Sequence, residues 1–251
     1  SPIVEEACQK ATFPKQWIKG LAEIGAFGPY IPSKYGGAGL DQISYGIIMQ
    51  ELERGDSGLR STASVQSSLV MYPIYTYGSE EQRMKYLPKL ASGEWMGCFG
   101  LTEPDHGSNP AGMITNIKDK GDHYLINGQK VWTSYADQAD WIFCLVRTST
   151  ETKHGGISFL LFDMESPGVS TKPILLISGS SPFCETFFDD VKVHKEQLVG
   201  EENKGWDVAK YLLGHEREMI SGMGLGSGVG TGASGVTLGP VTKPEDPLLR
   251  G

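Results

Sequence analysis

The spacing of apolar residues changes along this chain of 251 residues, and that change limits the folds open to it. From about Phe13 to Leu90 the apolar residues recur every three to four positions, as they do on one face of a helix. From about Trp95 to Val193 they fall into short runs rich in β-branched and aromatic residues. The sequence therefore predicts an α+β fold, with an N-terminal all-α domain followed by a β-domain.

Several helices are predicted in the first zone. They run from Pro14 to Phe27, from Ser44 to Arg54 and from Gly58 to Tyr77, and the last is apolar along most of its length, which indicates burial. The residues Ser79-Glu80-Glu81-Gln82 fit a capping box, in which the Ser and Gln side chains bond free backbone amides at the start of a further helix.

The second zone is expected to form a compact β-barrel or sandwich. Its strand-like runs are Tyr124–Ile126, Lys130–Trp132, Trp141–Val146 and Ile157–Phe162. Turn residues at Gly121, Asn127-Gly128 and Pro167-Gly168 separate these runs. We place the domain bounds at 1–94 and 95–198, with the start of a further helical region at 199–225 and an irregular, glycine-rich tail at 226–251.

Composition narrows the functional classes. The formal charge of −8 argues against non-specific binding of nucleic acid. No apolar run approaches the roughly 18 residues of a membrane-spanning helix, and the first residues do not resemble a signal peptide, so we expect the cytosol or the mitochondrial matrix. The four cysteines are scattered without zinc-ligand spacing, which predicts reduced thiols and no metal site.

Two motifs identify a family. Residues 97–104 are Gly-Cys-Phe-Gly-Leu-Thr-Glu-Pro, followed by Gly107-Ser108, and residues 127–134 are Asn-Gly-Gln-Lys-Val-Trp-Thr-Ser. In this order and at this separation they resemble the two flavin-contacting segments of acyl-CoA dehydrogenases. The similarity extends from about Phe13 to Leu225. Its first half is most like the glutaryl-CoA dehydrogenases, and its second half is more like other bacterial members.

The resemblance implies an FAD enzyme that oxidises an acyl-CoA thioester to the 2,3-enoyl-CoA. A base takes the α-proton while the β-hydrogen leaves as hydride to the flavin. Phe99, Leu101 and Thr102 should line the flavin edge, Trp132 should cover its face, and Ser134 stands where the family commonly has a Thr. A purely structural interpretation is also open: residues 97–102 fit a buried strand, and Trp132 fits the core of a barrel.

The resemblance also implies the catalytic base and the substrate contacts. Glu216 matches one of the two positions at which the family places its base, and pairing with Arg217 or Lys210 is the alternative. Arg60 matches the arginine that holds the far carboxylate in glutaryl-CoA dehydrogenases, and the alternative is an ion pair with Glu53 or Asp56.

Two further substrate contacts follow from the same resemblance. Ser64 should add a second polar contact beside Arg60, and Ser108 should face the CoA chain.

Several functions remain open at this stage. We expect the family's C-terminal helical domain to be missing from this sequence or supplied by a partner chain, in a homo-oligomer such as a tetramer. The chain is then a dehydrogenase with electron-transferring flavoprotein as acceptor, an inactive acyl-CoA- or flavin-binding protein, or a scaffold. An acyl-CoA oxidase shares these motifs and differs in the access of oxygen to the flavin.

Overall fold

The computed structural model describes residues 2–10, 13, 15–177, 179 and 181–223. The predicted glycine-rich tail lies outside the described residues. The side chain of Glu216, the predicted base, also lies outside the described part, although the backbone at that position belongs to a helix.

The N-terminal half of the chain is helical, as predicted. Its helices are α1 (Pro2–Lys10), α2 (Gln16–Glu23), α3 (Gln42–Gly55), α4 (Ser57–Ser64), α5 (Tyr72–Tyr77) and α6 (Glu80–Ala91). The predicted capping box starts α6: the Ser79 hydroxyl accepts from the Gln82 amide at 3.2 Å, and the Gln82 side chain accepts from the Ser79 amide at 3.0 Å. None of the described helices has the length and apolar character needed to cross a bilayer.

One long helix was predicted where the structure has three helical segments. Between α4 and α5 the chain forms a π-helix, Val65–Met71. Apolar spacing cannot reveal this widening, because it is held by contacts distant in sequence. The Gln66 side chain accepts from the Gly97 amide at 2.9 Å, and a Cβ atom on Gly97 would lie only 2.5 Å from Val70.

The second half forms one eight-stranded mixed sheet, which confirms the predicted β-domain. The strands are β1 (Gly97–Gly100), β2 (Asn116–Asp119), β3 (His123–Ser134), β4 (Trp141–Arg147), β5 (Ile157–Asp163), β6 (Val169–Pro173), β7 (Phe183–His194) and β8 (Leu198–Val199). The order is β6-β7-β3-β2-β4-β5-β8, and β1 pairs in parallel with β4.

The predicted turn at Asn127-Gly128 is wrong, because β3 continues through both residues. Its pairing with β7 shifts register between Ile126 and Gly128, so the chain bulges there without reversing. Gly128 has φ +148°, and a Cβ atom would lie 2.5 Å from the Thr115 hydroxyl. Glycine is therefore required at position 128, because the backbone there passes close to Thr115, the residue before β2.

Helices and sheet share an apolar core. Phe27 and Leu87 from the helices and Phe143 and Leu161 from the sheet belong to one buried cluster. A last helix, α7 (Gly205–Met223), adds Leu212 to that cluster. The first motif segment packs on this shared cluster through Phe99 and Leu101, whereas Tyr124 and Ile126 of β3 belong to a second buried cluster within the sheet.

Candidate functional site

The two motif segments lie side by side in the structure. β1 leads into Leu101 and Thr102, and β3 carries the second motif. The Val131 amide donates to the Thr102 carbonyl at 2.9 Å, which joins segments 29 positions apart in sequence. Within the described residues, no acceptor faces the Thr102 amide, so this donor is available to a ligand.

Trp132 occupies an unusual position on β3. Its backbone has φ +62°, a left-handed conformation, and it lies within a register shift between Lys130 and Thr133. Its side chain is 53% exposed, and the Phe183 ring lies edge-on to it at a centroid distance of 5.9 Å. Such a backbone costs about 1–3 kcal/mol and is typically retained at functional sites. The ring therefore does not fill a core.

Phe99 and Ser134 are less exposed than Trp132. The half-buried Phe99 ring stacks on Phe143 and Phe159 at centroid distances of 6.2 and 6.1 Å, so it supports the site from the core side. Ser134 is half-buried and pairs with Phe183 at the end of β3. Of the predicted flavin residues, Thr102 and Trp132 are the best placed to meet a ligand.

A buried ion pair that the sequence analysis did not assign lies behind these segments. Lys130 Nζ donates to Glu103 Oε1 at 2.8 Å, and the two side chains are 0% and 2% exposed. Glu103 also accepts from the amides of Ile114 and Thr115 at 2.6 and 3.0 Å. Burial alone would raise the pKa of Glu103, but Lys130 and these donors outweigh it and lower the pKa.

Arg60 and Ser64, the predicted substrate contacts, are neighbours on α4. Arg60 Nε donates to Glu53 Oε2 at 2.7 Å, and Nη1 lies 3.4 Å from the Ser64 hydroxyl. Asp56 instead caps α4 by accepting from the Leu59 amide. The Arg60 side chain is 13% exposed, and no acceptor within the described residues engages Nη2.

Hydroxyl groups not anticipated from the sequence surround the π-helix near Arg60. Ser68 Oγ lies 3.0 Å from the Tyr30 hydroxyl and 2.8 Å from the Tyr45 hydroxyl. Burial raises the pKa of Tyr45, with bonds to serine and the charge of Arg60 opposing it, so this phenol stays neutral. Tyr72 adds a third ring at 5.1 Å from Tyr30 and bonds Tyr211 of α7 at 2.8 Å.

Ser108 lies on a loop, and the backbone of Glu216 belongs to α7. Ser108 is exposed on the loop before Pro110, and Arg147 holds the far end of that loop by donating to the Ala111 carbonyl at 2.5 Å. Glu216 follows Tyr211 by one and a half turns on α7, the helix that contacts the tyrosines. Lys210, one alternative partner for Glu216, pairs with Asp207 at 2.9 Å.

Comparison with known families agrees with the two halves of this architecture. The family description "Acyl-CoA dehydrogenase, N-terminal domain" matches residues 1–94, and "Acyl-CoA dehydrogenase, middle domain" matches residues 98–191. The chain belongs to the acyl-CoA dehydrogenase family. The helical half and the sheet are thus the N-terminal and middle domains of that family.

Relatives within the acyl-CoA dehydrogenase family are identical to this chain at about a third of the aligned positions. Glutaryl-CoA dehydrogenase from Desulfococcus multivorans is 38% identical, over 90% of this chain and 59% of the relative. A structure of a glutaryl-CoA dehydrogenase from Mycobacterium smegmatis in complex with FADH2 is 38% identical, with a TM-score of 0.77 over 87% of this chain and 55% of that one.

Butyryl-CoA dehydrogenase from Megasphaera elsdenii is 33% identical, with a TM-score of 0.81 over 87% of this chain and 59% of its own. The chain therefore spans a little over half the length of these relatives.

Proposed function

We propose that this chain forms the FAD- and acyl-CoA-binding part of an enzyme that oxidises an acyl-CoA thioester to the 2,3-enoyl-CoA. The observation that carries the proposal is the exposed Trp132 ring, held on a strained backbone beside the Thr102 amide. An aromatic face next to a free donor suits a flat, polar-edged ring such as isoalloxazine. The family membership and the FADH2 complex of a relative support the same choice.

The residues present fit FAD. Trp132 would cover the ring face, while the amide and hydroxyl of Thr102 and the hydroxyl of Ser134 would donate to polar atoms. Bound FAD would accept the hydride that leaves the β-carbon of the thioester. We assign Glu216 as the base that takes the α-proton, so that proton and hydride together leave a carbon–carbon double bond.

We further propose a dicarboxylyl-CoA substrate, such as glutaryl-CoA. Glu53 holds Arg60 through Nε at 2.7 Å and leaves Nη2 without an acceptor in the described part of the chain. A guanidinium fixed in this way can donate to a carboxylate at the far end of an acyl chain. The Ser64 hydroxyl lies 3.4 Å from Nη1 and donates to the Ser61 carbonyl at 3.1 Å, so it would donate to the same carboxylate only by exchanging that bond. The ion pair with Glu53 thus orients Arg60 without saturating it.

The test begins with the visible absorbance of the purified chain, followed by glutaryl-CoA or butyryl-CoA in the absence of oxygen. We expect an oxidised-flavin band that glutaryl-CoA bleaches, and we expect Glu216→Gln to keep the band but prevent bleaching. A colourless protein that takes up no added FAD would refute flavin binding by this chain. A stable band that no acyl-CoA bleaches would favour a binding protein without turnover.

Arg60→Met tests the substrate class separately. Loss of a charge-assisted bond costs about 1.5–3 kcal/mol, so glutaryl-CoA should bind at least tenfold more weakly, while butyryl-CoA binding stays unchanged. Arg54→Met is the matched control, because Arg54 pairs with Glu51 at 3.0 Å on the exposed face of α3. An equal loss for both substrates would contradict a role for Arg60 in binding the carboxylate.

Electron acceptor and assembly are part of the same proposal. We propose electron-transferring flavoprotein as the acceptor and a homo-oligomer, or a partner chain, that completes the FAD site. Flavin reoxidation by that acceptor but not by oxygen would distinguish a dehydrogenase from an acyl-CoA oxidase. Release of carbon dioxide from glutaryl-CoA would show that decarboxylation follows oxidation.

A further inference from the structure

Lys130 is a fully buried cation on β3, within the second of the two proposed flavin segments. Its aliphatic stem crosses Gly100, where a Cβ atom would lie 3.3 Å from Lys130 Cγ. Its Nζ then donates to the Leu101 carbonyl at 3.1 Å and to Glu103 Oε1 at 2.8 Å. Glycine at position 100 therefore leaves room for the lysine to reach the first motif from behind.

A buried ion pair is weak evidence of a stabilising role. Removing two charges from water is costly, and apolar residues of similar volume often serve as well or better than a buried ion pair. Glu103 accepts two backbone amides in addition to Lys130, so its carboxylate is fixed in place. The geometry thus positions a cation at one defined carbonyl, that of Leu101.

The carbonyl of Leu101 and the amide of Thr102 belong to the same peptide unit. A cation at the oxygen draws electron density from the peptide and makes its N–H a stronger donor, since linked hydrogen bonds polarise one another. Low local dielectric increases the effect, because both Lys130 and Glu103 are buried. The Thr102 amide is the donor that has no acceptor among the described residues.

We propose that Lys130, held by Glu103, polarises the Leu101–Thr102 peptide so that the Thr102 amide binds reduced flavin more tightly than oxidised flavin. Both are positioning residues, since they act through this peptide. The inference rests on the proposed flavin site. Reduced flavin carries more electron density and gains more from a strengthened donor, so the pair raises the reduction potential of the bound flavin.

Two variants of the full chain separate the cation from the ion pair. Glu103→Gln keeps an acceptor for Lys130 Nζ and the Thr115 amide at the Oε1 position, so Lys130 stays at the Leu101 carbonyl. Glu103→Gln/Lys130→Met removes the cation without leaving a buried carboxylate unpaired. Lys130→Met alone is avoided, because it would strand the Glu103 charge and destabilise the fold.

The first measurement is the amide ¹H and ¹⁵N chemical shift of Thr102 in flavin-free protein. We expect both chemical shifts to move upfield in the double variant, because the amide is no longer polarised by a cation at the Leu101 carbonyl. Both should stay near the wild-type values in Glu103→Gln. The second measurement is the flavin reduction potential. We expect the double variant to lose about tenfold in its preference for reduced over oxidised flavin, relative to Glu103→Gln, which is about 30 mV for a two-electron couple.

Each outcome decides something. Equal Thr102 shifts in all three proteins would overturn the polarisation, and equal potentials would show that the polarised amide does not serve the flavin, which also overturns the proposal. A wild-type chain that binds no FAD would defeat the proposed function and its flavin consequence, while the Thr102 shift would still decide whether Lys130 polarises the peptide.

Discussion

At the scale of single residues, Trp132 combines strain with exposure. We expect Trp132→Gly to change the free energy of unfolding of the flavin-free protein by less than about 1 kcal/mol, because relief of the left-handed backbone offsets the lost contact with Phe183. The same change should weaken FAD binding about tenfold, since ring stacking contributes about 1–3 kcal/mol. Urea denaturation and flavin titration measure the two effects.

Two controls accompany this prediction. Trp132→Phe keeps an aromatic face and should retain most of the FAD affinity. Asn203→Gly relieves a comparable backbone at φ +67° on a turn before α7 and should leave FAD binding unchanged. Destabilisation by several kcal/mol in Trp132→Gly would show that the ring has a structural role. Normal FAD binding by this variant would show that the ring does not contact the flavin.

The sequence motifs single out Thr102 and Trp132 but do not reveal which side chains around them are buried. Motif order predicted that Thr102 and Trp132 belong to one site; the structure shows that their segments are neighbours, and their contact with flavin stays a prediction. The sequence could not predict the burial of Lys130, because a lysine on an alternating strand is expected to face solvent. Its burial depends on Glu103, which lies 27 positions away and is brought near only by the fold.

At the scale of elements, the π-helix depends on Gln66. This fully buried side chain donates to the carbonyls of Leu90 and Trp95 at 2.9 Å and accepts from the Gly97 amide. Gln66→Met would leave the Trp95 carbonyl and the Gly97 amide unpaired, whereas the Leu90 carbonyl would still accept from the Gly93 amide at 3.3 Å. Each unpaired group costs about 1–3 kcal/mol, so we expect destabilisation by about 2 kcal/mol or more in urea denaturation.

Gln50→Met is the matched control for this prediction, since Gln50 is exposed on α3 and should tolerate the change within about 0.5 kcal/mol. Equal stability of the two variants would mean that Gln66 does not anchor the π-helix to the sheet. Sequence patterns predicted helix α6 and its capping box because those bonds are local. They could not predict the π-helix, whose partners come from β1 and the turn before it.

At the scale of the whole molecule, the helices and strands that the sequence pattern separates contribute side chains to one buried cluster. The change of apolar spacing near Trp95 correctly separates helices from strands, since spacing reports local structure. It does not report which faces pack together. Leu87 of α6 and Phe143 of β4 lie in one cluster, and Gln82 also bonds the carbonyls of Glu196 and Leu198 across the same boundary.

This common core predicts a single cooperative unfolding transition. We expect native-state hydrogen exchange to give the Leu87 and Phe143 amides the same opening free energy, because both side chains belong to the cluster that helices and sheet share. Residues 1–94 produced alone should stay unfolded, since Phe27 and Leu87 would lose their partners from the sheet. A folded 1–94 piece, or an opening free energy several kcal/mol lower for one amide, would show two independent cores, and the site between the motifs would then lie on a movable boundary.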